Sequence, residues 1–179
     1  MHYNYCPKCG MKLKDKTAGD DGKVPFCEQC NQYWFDSFAS CCIVLVANQY
    51  HEIALLRQTY MSDRFTSFVS GYITPGENAE ETAAREVKEE LGIDIDKLEY
   101  AGTYWFDAKE LLMHGFIGFA SKADFRLSGE VDSAAWVPAL KAPETMFPDR
   151  PGNAMHPIYR KYLKMTGLSY GVAGSVKIY

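Results

Sequence analysis

Between Phe38 and Tyr60 two apolar stretches, "CCIVLVA" and "EIALLR", flank a polar break at Asn48 to His51. Short runs rich in Ile, Val and Leu around a turn predict two strands joined by that turn. "DRFTSFVSG" predicts another strand, "LEYAGTYWFD" and "LLMHGFIGFA" two more, and "AAWVP" a last short one. A helix is expected in "NAMHPIYRKYLKMTG", with Pro157 tolerated in its first turn and Gly167 as its stop. The tail from Leu168 to Tyr179 carries no readable pattern, and no internal repeat stands out. Strands and helices mixed without regular alternation predict an α+β fold, a mixed sheet flanked by helices.

Residues 79–91 have a different period. Asn78 is a good N-cap, Glu81 three residues on can close a capping box, and Gly92 can end the helix. On a helical wheel Ala83, Val87, Leu91 and Ala84 share one arc and form the expected buried face. Glu86, Glu89 and Glu90 make a compact wedge beside that face, with Arg85 next to Glu89. A helix built for solubility would intersperse lysines there, but Lys88 lies on the other side. By spacing alone two readings stand: a solvated acidic face, or a cluster awaiting a hard divalent cation.

Length and composition narrow the class. A chain of 179 residues holds one good core plus a small module. With 47% hydrophobic and 23% charged residues it is globular, and a formal charge of −4 offers no basic excess for nucleic acid. The start "MHYNYCPKCG" has no basic flank followed by an apolar core, and no apolar run can span a bilayer. The expectation is a cytoplasmic chain without a membrane partner.

Six cysteines in a reducing compartment favour metal ligation over disulfides. "CPKC" (Cys6, Cys9) and "CEQC" (Cys27, Cys30) are separated by a spacer of the length that four-cysteine zinc ribbons use, and such a ribbon is expected over residues 1–36. Four thiolates close a tetrahedral zinc site, which makes it structural. Pro7 and Gly10 suit the tight turn. A pair of redox motifs is the alternative, but each would need a preceding strand and a following helix. His2 reads as a mobile terminal side chain or a substitute ligand. Cys41 and Cys42 are expected on opposite faces of a strand, as small buried hydrophobes.

The spacing around the acidic helix resembles the signature of the Nudix hydrolase family, G-x5-E-x7-R-E-U-x-E-E-x-G-U with U aliphatic. Gly71, Glu77, Arg85, Glu86, Val87, Glu89, Glu90, Gly92 and Ile93 match every specified position. The resemblance implies a Nudix fold, a mixed sheet between helices, over residues 37–168, followed by a tail at 169–179. It also implies hydrolysis of a diphosphate linked to another moiety, with Mg2+ or Mn2+ to neutralise charge on phosphoryl oxygens and position water. Glu86 and Glu90 would ligate metal, and Glu89 would be a further ligand or the base. Arg85 would orient a carboxylate, Glu77 would accept metal or pair with Arg85, and the Ser70 carbonyl would be an extra ligand. Glu130, in "GEVDSAAWV", stands where a later loop glutamate completes such sites; an exposed loop acid is the plainer reading.

A four-cysteine ribbon before a Nudix domain resembles the NADH pyrophosphatase subfamily, which releases AMP from NAD(H) and removes NAD caps from RNA. Where that subfamily carries S-Q-P-W-P-F-P-x-S, this chain has "GTYWFDAKE", retaining Trp105. Trp105 is either a platform for a flat ring or one more core aromatic. NADH or a related dinucleotide therefore leads the expected substrates, with NAD-capped RNA as a partner and ADP-ribose, coenzyme A, dinucleoside polyphosphates and nucleoside triphosphates behind. A nucleotide sensor whose ribbon binds nucleic acid or protein is the reading from another class. The ribbon would serve equally to make a homodimer or cover a sheet edge.

Overall fold

The computed structural model describes residues 2–169 and divides the chain into two compact units, Met1–Phe38 and Ala39–Tyr179. Of the expected tail, all but Ser169 lies outside the described residues.

The first unit is a three-stranded antiparallel sheet of β1 (Lys14–Thr17), β2 (Lys23–Cys27) and β3 (Gln32–Tyr33). Its register stacks Lys14 beside Phe26 and Phe26 beside Tyr33. Val24, Phe26, Cys6 and Cys27 are its buried apolar residues. So few side chains cannot supply a self-sufficient core, and units of this size need a staple.

The second unit is built on β4 (Ala39–Ala47), β5 (Glu52–Arg57), β6 (Val69–Tyr72), β7 (Lys97–Phe106), β8 (Leu111–Phe119) and β9 (Ser133–Pro138). The strand order is β7-β8-β4-β5-β9, with β6 also paired to β4. β4 runs parallel to β8 and antiparallel to β5 and β6, so the sheet is mixed as expected. The turn at Asn48 to His51 is present: Asn48 Oδ1 accepts from the backbone of Tyr50 and Glu52. β4 and β5 register only near their shared turn, at Ala47 and Ile53, and β6 occupies the edge of β4 from Cys41 to Val44. The strand expected in "DRFTSFVSG" is regular only from Val69, because Ser67 pairs instead with Leu56 and Thr66 bridges Met146.

Helices cover both faces. α1 (Ala79–Leu91) packs Ala83, Val87 and Leu91 against Val44, Val69 and Phe116. α2 (Met155–Thr166) packs Ile158 and Tyr162 against Ile43, Leu45 and Ile117 on the other side. Alternation along β4 supplies both cores, which explains its unbroken apolar run. No helix among the described residues is long and apolar enough to cross a membrane.

The expected caps of α1 are present. Glu81 N–H donates to Asn78 Oδ1 at 2.8 Å, Asn78 N–H donates to Glu81 Oε2 at 3.0 Å, and Gly92 closes the helix at φ +72°. Its buried face is rotated from the expected one. Ala84 is exposed, whereas Thr82 and Glu90 are buried. The helix has rolled toward its acidic wedge, because β6 lies beneath that side with a glycine to receive it. Asn78→Ala should lower stability by about 1 kcal/mol in urea denaturation, through loss of the capping box.

Candidate active site

Gly71 lies on β6 opposite Cys42 of β4. A Cβ at Gly71 would collide with the Glu86 carboxyl group, so the missing side chain is the space that the carboxylate occupies. The Glu86 side chain is 14% exposed. Burial pushes its pKa up, against the pull of Arg85.

Arg85 is the hub of the site. Nε donates to Glu77 Oε1 at 2.7 Å and Nη2 to Glu77 Oε2 at 3.0 Å, a bidentate pair. Nη1 reaches Glu86 at 2.8 Å and Glu89 at 2.9 Å, and Nη2 also reaches the Tyr72 carbonyl at 3.2 Å. Glu77 accepts further from Thr82 Oγ1 and Thr74 N–H. Arg85, with that help, holds Glu77 down at about 2. Of the two expectations for Glu77, this geometry shows the pairing with Arg85.

Glu90 is 4% exposed. Its Oε1 accepts from Gln58 Nε2 at 2.9 Å, while Oε2 is buried with no hydrogen-bond partner among the described residues. Burial, then the charge of Glu86, raises its pKa from 4.5 to about 7, against the hydrogen bonds from Gln58 and the Ser70 backbone. An orphaned carboxylate oxygen beside a second, partly buried carboxylate fits a hard divalent cation.

Glu130 is exposed, in the loop before β9, yet its charge raises both Glu86 and Glu90. Two hydrogen bonds hold that loop near the site: Thr59 N–H to Asp132 Oδ2 at 2.5 Å and Asp132 N–H to the Arg57 carbonyl at 2.9 Å. Glu89 is more than half exposed and turned to Arg85. The carboxylates are thus not drawn onto one point, because Arg85 takes Glu86 and Glu89 to its own side.

Trp105 stands elsewhere. It lies on β7, separated from β6 by β4 and β8. It is 44% exposed, donates to Asp107 and borders an open cavity of about 470 Å³ with Tyr104, Arg150 and Arg160.

Gln58 and Tyr60 belong to the site without having been expected there. Tyr60 is largely exposed, and its phenol is pushed up by partial burial and by Glu90, Glu130 and Glu86. Gln58 meets its partner 32 residues away, a distance that no local pattern encodes.

In the first unit the four sulfurs of Cys6, Cys9, Cys27 and Cys30 lie within 4.8 Å of one another. Among the described residues this is the one group of three or more His, Cys, Asp or Glu placed to share an ion. Gly10 sits at φ +74° and its N–H donates to the Cys6 carbonyl at 2.8 Å, closing the expected knuckle. On the second knuckle Cys30 N–H donates to Cys27 Sγ at 3.3 Å. Burial acts to raise Cys6, but backbone N–H groups of Lys8 and Cys9 bring it down to about 6. Cys30 is pushed up to about 12 by Cys9, by burial and by the other two thiols. The Cys6 thiolate forms easily while Cys9 and Cys30 resist ionising, so the donor set fits a cation that takes four thiolates. His2 is paired with Asp36 at 2.7 Å and takes no part. Cys41 and Cys42 are buried free thiols.

A family model for the NUDIX domain matches residues 37–156. The chain belongs to the Nudix family. Curated relatives include "NAD-capped RNA hydrolase NudC" of Pseudomonas aeruginosa, 29% identical over 75% of this chain and 48% of that one. The "NAD-capped RNA hydrolase" of Schizosaccharomyces pombe is 27% identical over 67% of this chain and 35% of its own length. The chain thus spans about half the length, or less, of these relatives. A Nudix hydrolase from Nitrosomonas europaea superposes with a TM-score of 0.67 at 14% identity, over 92% of this chain and 93% of that one, and so shares the fold.

The Nudix carboxylates carry a stability signature. Glu90 is held protonated to higher pH in the folded state than in the unfolded chain, so its contribution is complete below about pH 4.5 and lost by about pH 7. In magnesium-free buffer, stability should fall by about 3 kcal/mol across that window. Glu90→Gln should remove most of the fall, as read by urea denaturation at each pH.

Proposed function

We propose that this chain is a Nudix pyrophosphohydrolase that cleaves the diphosphate linkage of a nucleoside diphosphate derivative, with NAD(H), free or as the cap of an RNA, as its substrate. The observation that carries the reading is the orphaned, buried Oε2 of Glu90 beside Glu86, under Arg85 and against Gly71. A sensor would have no use for so costly an arrangement. The relatives named as NAD-capped RNA hydrolases support the substrate class.

Glu86, Glu90, the Ser70 carbonyl and Glu130 would hold Mg2+ or Mn2+, which supplies neutralisation of phosphoryl charge and a positioned water. Arg85 orients Glu86 and Glu89, and Glu77 fixes Arg85. Glu89 supplies a further oxygen or takes the proton of the attacking water; its exposure suits either task. Trp105 offers a face for a flat ring of the substrate.

The four cysteines would hold one structural Zn2+ in a ribbon at residues 1–36, preceding a hydrolase domain at 37–168 and a tail at 169–179. A cytoplasmic setting, where thiols stay reduced, suits this site.

With Mg2+ or Mn2+, the purified chain should convert NADH to AMP and nicotinamide mononucleotide faster than it consumes ADP-ribose, coenzyme A, diadenosine polyphosphates or nucleoside triphosphates. Glu90→Gln should lose at least about a hundredfold in rate, read by chromatography of products. Turnover of another compound would reassign the substrate; ligand binding without any turnover would defeat the enzyme reading. Metal analysis should find one zinc per chain, and its release by a thiol-reactive reagent should unfold the first unit by circular dichroism.

A further inference from the structure

A buried amide is costly unless bonded, and an apolar side chain would fill the same space more cheaply. Gln58 is 2% exposed, and Nε2 donates to Glu90 Oε1 at 2.9 Å. Its backbone is pinned: the Gln58 carbonyl accepts from Met61 N–H at 2.8 Å and Ser62 N–H at 3.1 Å, and Thr59 next to it is bonded to Asp132. A pinned backbone and a buried side chain together restrain the amide, and through it the oxygen that it binds.

A carboxylate has two equivalent oxygens and a free rotation. Tying Oε1 to a fixed donor leaves Oε2 as the one oxygen available, at a set position, and Oε2 is the atom without a hydrogen-bond partner among the described residues. We propose that Gln58 is the positioning residue of Glu90, holding Oε1 so that Oε2 is presented to the divalent cation in advance of binding. This rests on the metal reading of Glu90 given under the proposed function. The rotational freedom of the ligand is lost on folding, so it is not lost again when the ion arrives. Outer partners of metal ligands commonly act in this way.

The test is a double-mutant cycle on Mn2+ affinity, read by electron paramagnetic resonance on the full chain with zinc in its cysteine site. Gln58→Met keeps the volume and removes the donor; it should weaken Mn2+ binding by about tenfold. Glu90→Gln should weaken it further. In the double variant the two losses should not multiply, because without the Glu90 carboxylate Gln58 has nothing to position. A merely structural Gln58 would show independent, multiplying effects, or wild-type Mn2+ affinity in Gln58→Met, and either result would overturn the proposal. Unchanged affinity in Glu90→Gln would remove the metal reading itself, and this proposal with it. If Gln58→Met fails to fold, the wild-type Gln58 side-chain amide is read by nuclear magnetic resonance. Protection of one amide proton from solvent exchange, with and without Mg2+, supports the proposal, and free exchange of both overturns it.

Discussion

A carboxylate cannot be buried without cost unless its charge is met, and the second unit is arranged around a buried one whose charge is met only in part. Glu90 lies on the apolar side of α1, between the core packing of Val87 and Leu91 and the edge strand β6. One oxygen is satisfied by Gln58, and the other is not. Glu86 next to it adds like charge, so burial and repulsion both favour the proton over the anion. The unfavourable term is local and the favourable ones are spread out: the capped helix, the sheet register and the two apolar cores fix a charge cluster that would otherwise open to water.

Several features make sense as supports of that cluster. β5 leaves β4 soon after their turn, which opens the edge of β4 to β6. β6 brings Gly71 under Glu86, where any side chain would collide with the carboxylate. Arg85 joins the helix to the loop at Glu77 and to the Tyr72 carbonyl, so the cationic hub also ties three segments together. Asp132 and Thr59 hold the Glu130 loop where its charge is felt by Glu86 and Glu90.

The first unit meets a similar problem with different chemistry. It has too few buried apolar residues for a core, and in their place four sulfurs converge. Neighbouring thiols favour one thiolate, at Cys6, and oppose a further one at Cys30. In both units, donors are held closer than their own charges favour, and a cation is the species that would relieve them.

The strands of the second unit, both helices, the α1 caps and the cysteine knuckles were legible in the sequence, because each depends on near neighbours: alternation along β4, Asn78 with Glu81, Gly10 after Cys9. The three short strands of the first unit were not. The nine matched positions of the Nudix signature identified the site helix, since its functional residues sit at fixed intervals on one element. The roll of α1 was not legible. Helical periodicity orders residues around an axis, but what packs against the helix decides which arc is buried, and here Glu90 is buried and Ala84 exposed. Gln58 was invisible for a related reason: its significance lies wholly in a contact across the fold, with a residue that the chain itself does not place near it. The distance of Trp105 from the carboxylates is likewise a property of strand order, which alternation of side chains does not specify. Sequence determined which residues can carry charge, thiol and turn; tertiary packing decided which of those charges are removed from water, because burial depends on what lies opposite.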